Sequence, residues 1–517
     1  MVNVPSAAPR PTTPLPIVAD NLVPLAPAPA VRGPSAAARS LQADGVSRPP
    51  PDGTRPVMLH DDLSNLRGWF PKSYDYSTAQ RRVRGAFAEV ALHSAKHLDT
   101  KAEIRRFRIP GSGKAGLQGP AGPDREMDSL YLPAPSGKAE RSIIISAGVH
   151  GAEGPAGTAS VELFLRELLP KMDPEVRAKT NILVLHGINP WGYAQGCRFD
   201  HDGVDLNRQS LPATDAGRHR PELGIDKYSF ESLPPSNYHL VDGLFDQDKP
   251  LGSFGQHKLR VGWGMAKALG TTWLSKLAPF WMGLPEDKID DESRGAMGRL
   301  VQAMGGGQYE NPEGVVYGGS GRQPVIDECE RQITQAVRGV KEAVHFCVHT
   351  GLGKQAQLHM IDNARYPADQ EFTKALLRDR NGEGEAFEYS SNLTDTDFYE
   401  VPGDFTLLTE RAVRRAGAAG AVVAPVTYEF GTMGTDTQSQ LKTTFALSGL
   451  NQLHHEGTRS EDTLKSVQDA GLELFNPQPK QHGAAEKFQK AVVLKGMAAL
   501  SLLPGLEHCH RTHRFSD

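Results

Sequence analysis

Cysteine is scarce in this chain: 517 residues contain four, Cys197, Cys329, Cys347 and Cys509. Their spacing offers neither a disulfide framework nor a CxxC zinc site. Cys329 and Cys347 are expected to pack as small apolar side chains. Long apolar runs are missing too. None reaches the roughly 18 residues of a membrane-spanning helix, so no span is expected. An excess of one charge is also lacking. The net charge is -4, the pI is ≈ 6.5, and Lys and Arg are scattered, which gives no support to nucleic-acid binding. A reducing, cytoplasmic setting is the simplest expectation, although so few cysteines do not exclude secretion.

What replaces these features at the start is proline, alanine and serine. Such a composition buries too little apolar surface to offset the entropy of ordering, so residues 1–60 are expected to be disordered. The apolar stretch from Pro14 to Ala30 is interrupted by prolines and by Asp20, unlike a cleavable signal. Two readings stand: a floppy tail, or an address for a secretion system that threads unfolded N-termini, as delivered bacterial effectors carry.

Ordered sequence is expected from near Leu63. Val83, Phe87, Val90 and Ala91 give Tyr76 to His97 a helical pattern. Glu103 to Ile109, Met127 to Leu132 and Ser142 to Ala147 read as strands, with a Gly- and Pro-rich loop from Gly111 to Asp124. Thr158 to Leu169 carries one apolar stripe and stops before Pro170. Thr180 to Leu185 is a strand, Val325 to Ala343 a helix, Val344 to Val348 a strand that ends just before His349, and Ala421 to Phe430 the last core strand. Strand–helix–strand alternation argues for an α/β fold, with ligand sites where strands give way to loops. Gly305-Gly306-Gly307 and Gly318-Gly319, near Tyr309 and Tyr317, read either as lid loops or as surface turns. The expected organisation is a disordered segment (1–60), a catalytic domain (61–457) and a helical tail (458–517) whose strongest helix runs from Lys487 to Leu503.

Zinc in a hydrolytic site takes about three protein ligands and keeps one position open for water. His150, Glu153 and His349 could supply the ligands, and Glu429 a general base. A histidine and a glutamate three residues apart are a common chance pattern. Alone, His150 or His349 would more often be a hydrogen-bonded loop histidine than a ligand.

Context narrows this. His150-Gly151-Ala152-Glu153-Gly154, Val204-Asp205-Leu206-Asn207-Arg208, His349-Thr350-Gly351-Leu352-Gly353 and Glu429-Phe430-Gly431-Thr432 follow one another in this order. Together they resemble the zinc carboxypeptidase family related to carboxypeptidase A, closest to a bacterial branch in which the same four motifs recur. The resemblance spans roughly Phe70 to Leu450. It implies a three-layer α/β/α sandwich around a mixed, twisted sheet. It also implies one Zn2+ held by His150, Glu153 and His349, with Glu429 as general base and acid. Asp205 would accept a hydrogen bond from the free ring nitrogen of His150. Asn207 and Arg208 would bind a substrate carboxylate, and Arg198 would face the developing oxyanion.

The chain departs from that pattern in places. The segment after Arg208 lengthens the gap between Glu153 and His349. Cys347 stands two residues before His349, where relatives often have Asp. No motif fixes a mobile tyrosine over the substrate, although Tyr399 lies in the right region. His508-Cys509-His510 with His513 could bind a metal, but reads better as a solvated tail.

The expected activity is that of a zinc metallocarboxypeptidase acting on a peptide or acyl-amino-acid with a free carboxylate. An N-acyl amino acid deacylase would use the same groups. A non-catalytic binding protein would be marked by a missing ligand or base, and none is missing.

Overall fold

A computed structural model describes residues 70, 75–98, 100–111, 124–236, 238–242, 250–268, 302–303, 305–351, 353–377, 387–391, 401–434, 437–477 and 484–512. The Pro-rich N-terminal segment, most of the loop after Gly111, Leu352, Tyr399 and His513 lie outside the described residues.

Eight strands form one mixed sheet in the order β1-β2-β4-β3-β5-β8-β6-β7. They are β1 (Glu103–Ile109), β2 (Arg125–Leu132), β3 (Arg141–Ala147), β4 (Thr180–His186), β5 (Glu342–Gly351), β6 (Leu358–Asp362), β7 (Glu388–Ser391) and β8 (Val422–Gly431). The central run β4-β3-β5-β8 is parallel, and β2 and β6 pair with it antiparallel. Parallel strands need both faces covered. That explains why β3 reads Ile143-Ile144-Ile145, with every residue buried.

The main helices are α1 (Tyr76–His97), α2 (Gly154–Leu163), α3 (Pro190–Gln195), α4 (Pro324–Ala336), α5 (Leu407–Ala416), α6 (Thr437–Glu456), α7 (Glu461–Phe475) and α8 (Ala484–Leu500). Alternation along the strands divides the core. Ile143, Ile145, Val344, Phe346, Val426 and Tyr428 face α1, α2 and α8. Ile144, Cys347 and Val423 face α4 and α5. The result is the expected three-layer α/β/α sandwich. Each fully buried aliphatic or aromatic side chain contributes about 1.5–3 kcal/mol, so both layers are held mainly by burial.

Several boundaries differ from expectation. The helix after β3 starts at Gly154 and not Thr158, because Pro155 suits a first helical turn. It ends at Leu163 and continues as a wider turn over Phe164–Leu168. The helix from Pro324 stops at Ala336, and Gly339 (φ 71°) turns the chain into β5. β5 runs to Gly351, so His349 lies inside the strand and not past its end. The C-terminal helices pack on the sheet: Phe488, Val492, Val493, Met497 and Cys509 are buried in the same core, while His508 is exposed. Among the described residues, no helix is long and apolar enough to cross a membrane.

Candidate metal centre

β3 and β5 pair in parallel with Ala147 opposite Val348. The loop leaving β3 therefore starts beside the strand that carries His349. A short turn, Gly151–Glu153, follows His150 and leads directly into α2. Glycine is required in this turn for close approach. A Cβ on Gly151 would lie 2.1 Å from the Gly192 carbonyl carbon, and one on Gly154 would enter the Tyr193 ring at 1.9 Å. The turn is also tied to the segment after α3, because Ala152 N–H donates to the Cys197 carbonyl at 2.8 Å. This brings Arg198 to the same place.

The side chains then converge. His150 Nδ1 is 2.8 Å from Glu153 Oε1, His349 Nδ1 is 2.9 Å from Glu153 Oε2, and the two Nδ1 atoms are 3.2 Å apart. All three residues are buried. His150 Nε2 donates to Asp205 Oδ1 at 3.0 Å, which leaves the Nδ1 lone pair of the neutral ring aimed at Glu153 and His349. The outer nitrogen of His349, Nε2, is 3.2 Å from Cys347 Sγ. Two imidazole nitrogens and a carboxylate face one point, and with both rings neutral and their Nδ1 lone pairs turned inward a divalent cation would be their common partner. Two histidines and one glutamate are also a recurring hydrolytic zinc set. The residues present thus fit the metal that the motifs imply.

Charge around the centre is balanced by position. Burial alone would raise the Glu153 pKa, but His150 and His349 pull it down to about 2. Burial and Arg198 both disfavour a charged His150, yet Glu153 and Asp205 outweigh them and raise its pKa. Asp205 is buried, and Arg198, Arg208 and His150 hold its carboxyl well below the usual range. Arg198 Nε donates to Asp205 Oδ2 at 3.0 Å, and its Nη1 lies 3.8 Å from Glu153 Oε1.

Glu429 stands directly opposite His349 across the parallel β5–β8 pair. Partners in register project from the same sheet face, so both side chains emerge together at the strand ends. Glu429 Oε1 lies over Gly351, 3.9 Å from where a Cβ there would be, and Phe475 borders the same spot at 3.8 Å. The sequence did not single out Phe475. The motif threonines bring it in: Thr350 Oγ1 donates to the Phe475 carbonyl at 2.6 Å, and Thr432 Oγ1 donates to the Leu474 carbonyl. Thr350 N–H also donates to Glu153 Oε2 at 3.1 Å.

Asn207 and Arg208 occupy a different setting. Asn207 Nδ2 donates to Asp404 Oδ2 at 3.3 Å, and its Oδ1 accepts from Phe405 N–H at 2.8 Å. Arg208 is 1% exposed. Its Nη1 donates to the Asn207 carbonyl at 2.9 Å, and its Nη2 donates to the Gly305 carbonyl. The pair expected to meet a substrate carboxylate is turned inward. The segment 305–319 is no ordinary surface turn either. Tyr309 OH donates to the Arg208 carbonyl at 2.7 Å, and Asp205 N–H donates to the Tyr317 carbonyl at 2.7 Å.

The chain is similar to solved structures that include the following three. One from Shewanella amazonensis SB2B, named as a candidate metallopeptidase, is 14% identical, with 71% of this chain and 91% of that chain covered and a TM-score of 0.29. A metallo-carboxypeptidase from Burkholderia cenocepacia is 11% identical, with 71% and 67% covered and a TM-score of 0.29. Carboxypeptidase A from Helicoverpa armigera is 10% identical, with 81% and 72% covered and a TM-score of 0.31. In sequence, residues 76–223 and 288–493, more than half of the chain, match the model of the family described as "Protein of unknown function (DUF2817)", and the chain belongs to that family.

Proposed function

We propose that this chain is a zinc-dependent hydrolase of a peptide or amide bond. The observation that carries the reading is the convergence of His150, Glu153 and His349 at the strand ends, with Glu429 in register beside His349. A zinc ion held by the three would supply Lewis acidity and lower the pKa of a water to roughly 7. Glu429 takes up the proton released by the attacking water and returns it to the departing amine. Arg198, anchored on Asp205, provides positive charge toward the developing oxyanion. Asp205 fixes the His150 ring through Nε2.

Two kinds of amide hydrolysis use these groups. Carboxypeptidase action on a free C-terminus is what the motif order implies, with Asn207 and Arg208 as the carboxylate anchor. The other is an N-acyl amino acid deacylase or amidohydrolase, which would use the same metal and base. The test is hydrolysis of a peptide and acyl-amino-acid library by the full chain before and after dialysis against a chelator. Turnover should vanish on dialysis and return with added zinc. Activity that survives complete metal removal would sink the reading.

A further inference from the structure

We propose that a cleft at the end of the sheet away from the metal centre is a second binding site, and that it takes a small organic anion carrying a phosphate or carboxylate group. The proposal stands apart from the hydrolase reading above.

The cleft has a volume of ≈ 530 Å³ and lies between the loop from β2 to β3, the start of β4 and the C-terminal end of α4. Small-molecule sites occupy roughly 300–1,000 Å³, so there is room for more than a bare oxyanion. β3, β4 and β5 start level with one another here, whereas His349 is near the far end of β5. At ~3.3 Å per residue the two sites are roughly 20 Å apart.

The polar groups that the cleft offers are donors. Tyr131 lines it and is 8% exposed; its ring packs in the core beside α4, and its hydroxyl has no hydrogen-bond partner among the described residues. Burial, and then the charge of Glu103, push the Tyr131 pKa up, so the hydroxyl keeps its proton to donate. Arg105 Nη2 donates to Gln335 Oε1 at 2.6 Å, which fixes that amide and leaves its two N–H groups for the cleft that Gln335 lines. Arg338 is exposed on the cleft wall and has no ion-pair partner among the described residues. Asn181 is committed to structure: its Oδ1 accepts from Ala134 N–H at 2.9 Å and its Nδ2 donates to the Ala336 carbonyl at 2.8 Å. That last bond, with the Val337 and Arg338 N–H groups on the Gln335 carbonyl, occupies carbonyls that would otherwise present negative charge at the end of α4. Two carboxylates close by are already paired, Glu103 with Arg105, and Glu328 with Arg331 Nε and Nη2 at 2.8 and 2.6 Å. No carboxylate is among the described residues that line the cleft. A hydroxyl, an amide and a guanidinium that can all donate, with no anion among them, suit an oxyanion. Pro133 and Ala139 line the same space and suit an apolar remainder.

The test is titration calorimetry of the full chain with phenyl phosphate, with benzoate and with neutral benzamide. At least one of the two anions should bind with a Kd of about 1 mM or tighter, and the tighter one identifies the group that the cleft prefers. Benzamide should bind at least about tenfold more weakly than that anion, and Arg338→Gln and Tyr131→Phe should each weaken the anion about tenfold. Dialysis against a chelator should leave its Kd unchanged, because the metal centre is at the other end of β5. Absence of saturable binding by both anions overturns the proposal. So does equal binding of benzamide, binding that disappears with the metal, or an unchanged Kd in Arg338→Gln. If Tyr131→Phe fails to fold, the exposed Arg338 and the chelator arm still decide. Hydrolysis enters none of these readouts, so failure here leaves the metal centre untouched.

Discussion

Two buried polar regions lie a few ångströms apart and are built in opposite ways. Around His150, Glu153 and His349, two ring nitrogens and a carboxylate converge on one point within 3.2 Å of one another. Around Asn207 and Arg208, donors and acceptors pair off: Asn207 with Asp404 and Phe405, Arg208 with two backbone carbonyls. The first arrangement calls for a cation. The second pairs most of its groups internally but leaves Arg208 Nε buried without a hydrogen-bond partner. Asp205 joins them, with one oxygen on His150 and the other on Arg198. Motif order alone treats both regions alike, whereas their hydrogen bonds separate a cluster of ligand atoms around one point from a largely internal network with one orphaned donor, Arg208 Nε.

The comparison can be broken in several ways, from the largest effect down. Removing the base should act only on chemistry: Glu429→Gln should lower turnover about 10²–10⁴-fold or more, measured by steady-state kinetics. Asp205→Asn attacks the link between the regions. It should weaken zinc affinity about 10–100-fold, read by competition with a chromogenic chelator. Arg208→Met attacks the second region. It leaves the Asp205 charge less well compensated and should cost about 3–5 kcal/mol of stability in urea melts, with one zinc still bound when metal is in excess.

A smaller effect is expected from pH. His345 lies on β5, on the same face as His349, between Ser146 Oγ and Thr409 Oγ1 at 2.8 Å each. Burial pushes its pKa down to about 3, and burial does the same to His186. Unfolded histidine titrates near ~6.5. The unfolded chain therefore binds protons first, and stability contributed by the neutral rings is present above ~6.5 and lost as pH falls toward about 3. Urea midpoints measured across that window should decline, and less steeply in His345→Gln. An equal slope in the variant would remove His345 from the explanation.

The strands that carry the chemistry were legible because they are apolar runs ending in distinctive residues: Ile143 to Ile145 before His150, Val344 to Val348 before His349, and Ala421 to Phe430 around Glu429. β6 and β7 were not foreseen. They are four or five residues long, mixed in polarity, and show no period that separates them from loop. The glycine turn at Gly151–Gly154 hid the true start of α2, because glycine reads as a break unless the ring of Tyr193 above it is known. The C-terminal stretch from Lys487 to Leu503 reads as a helix, but nothing local shows that Phe488 and Val492 meet the sheet. The inward turn of Arg208 was also beyond reach. It depends on Gly305 and Gly307, roughly 100 positions away, and only contact in space shows that they lie against this side chain.

The central claim is most directly tested by measuring bound zinc and turnover together on the wild type, Glu429→Gln and His150→Ala. One zinc with turnover, one zinc without it, and neither zinc nor turnover are the results expected in that order. Zinc retained in His150→Ala, or turnover retained in Glu429→Gln, would contradict the account.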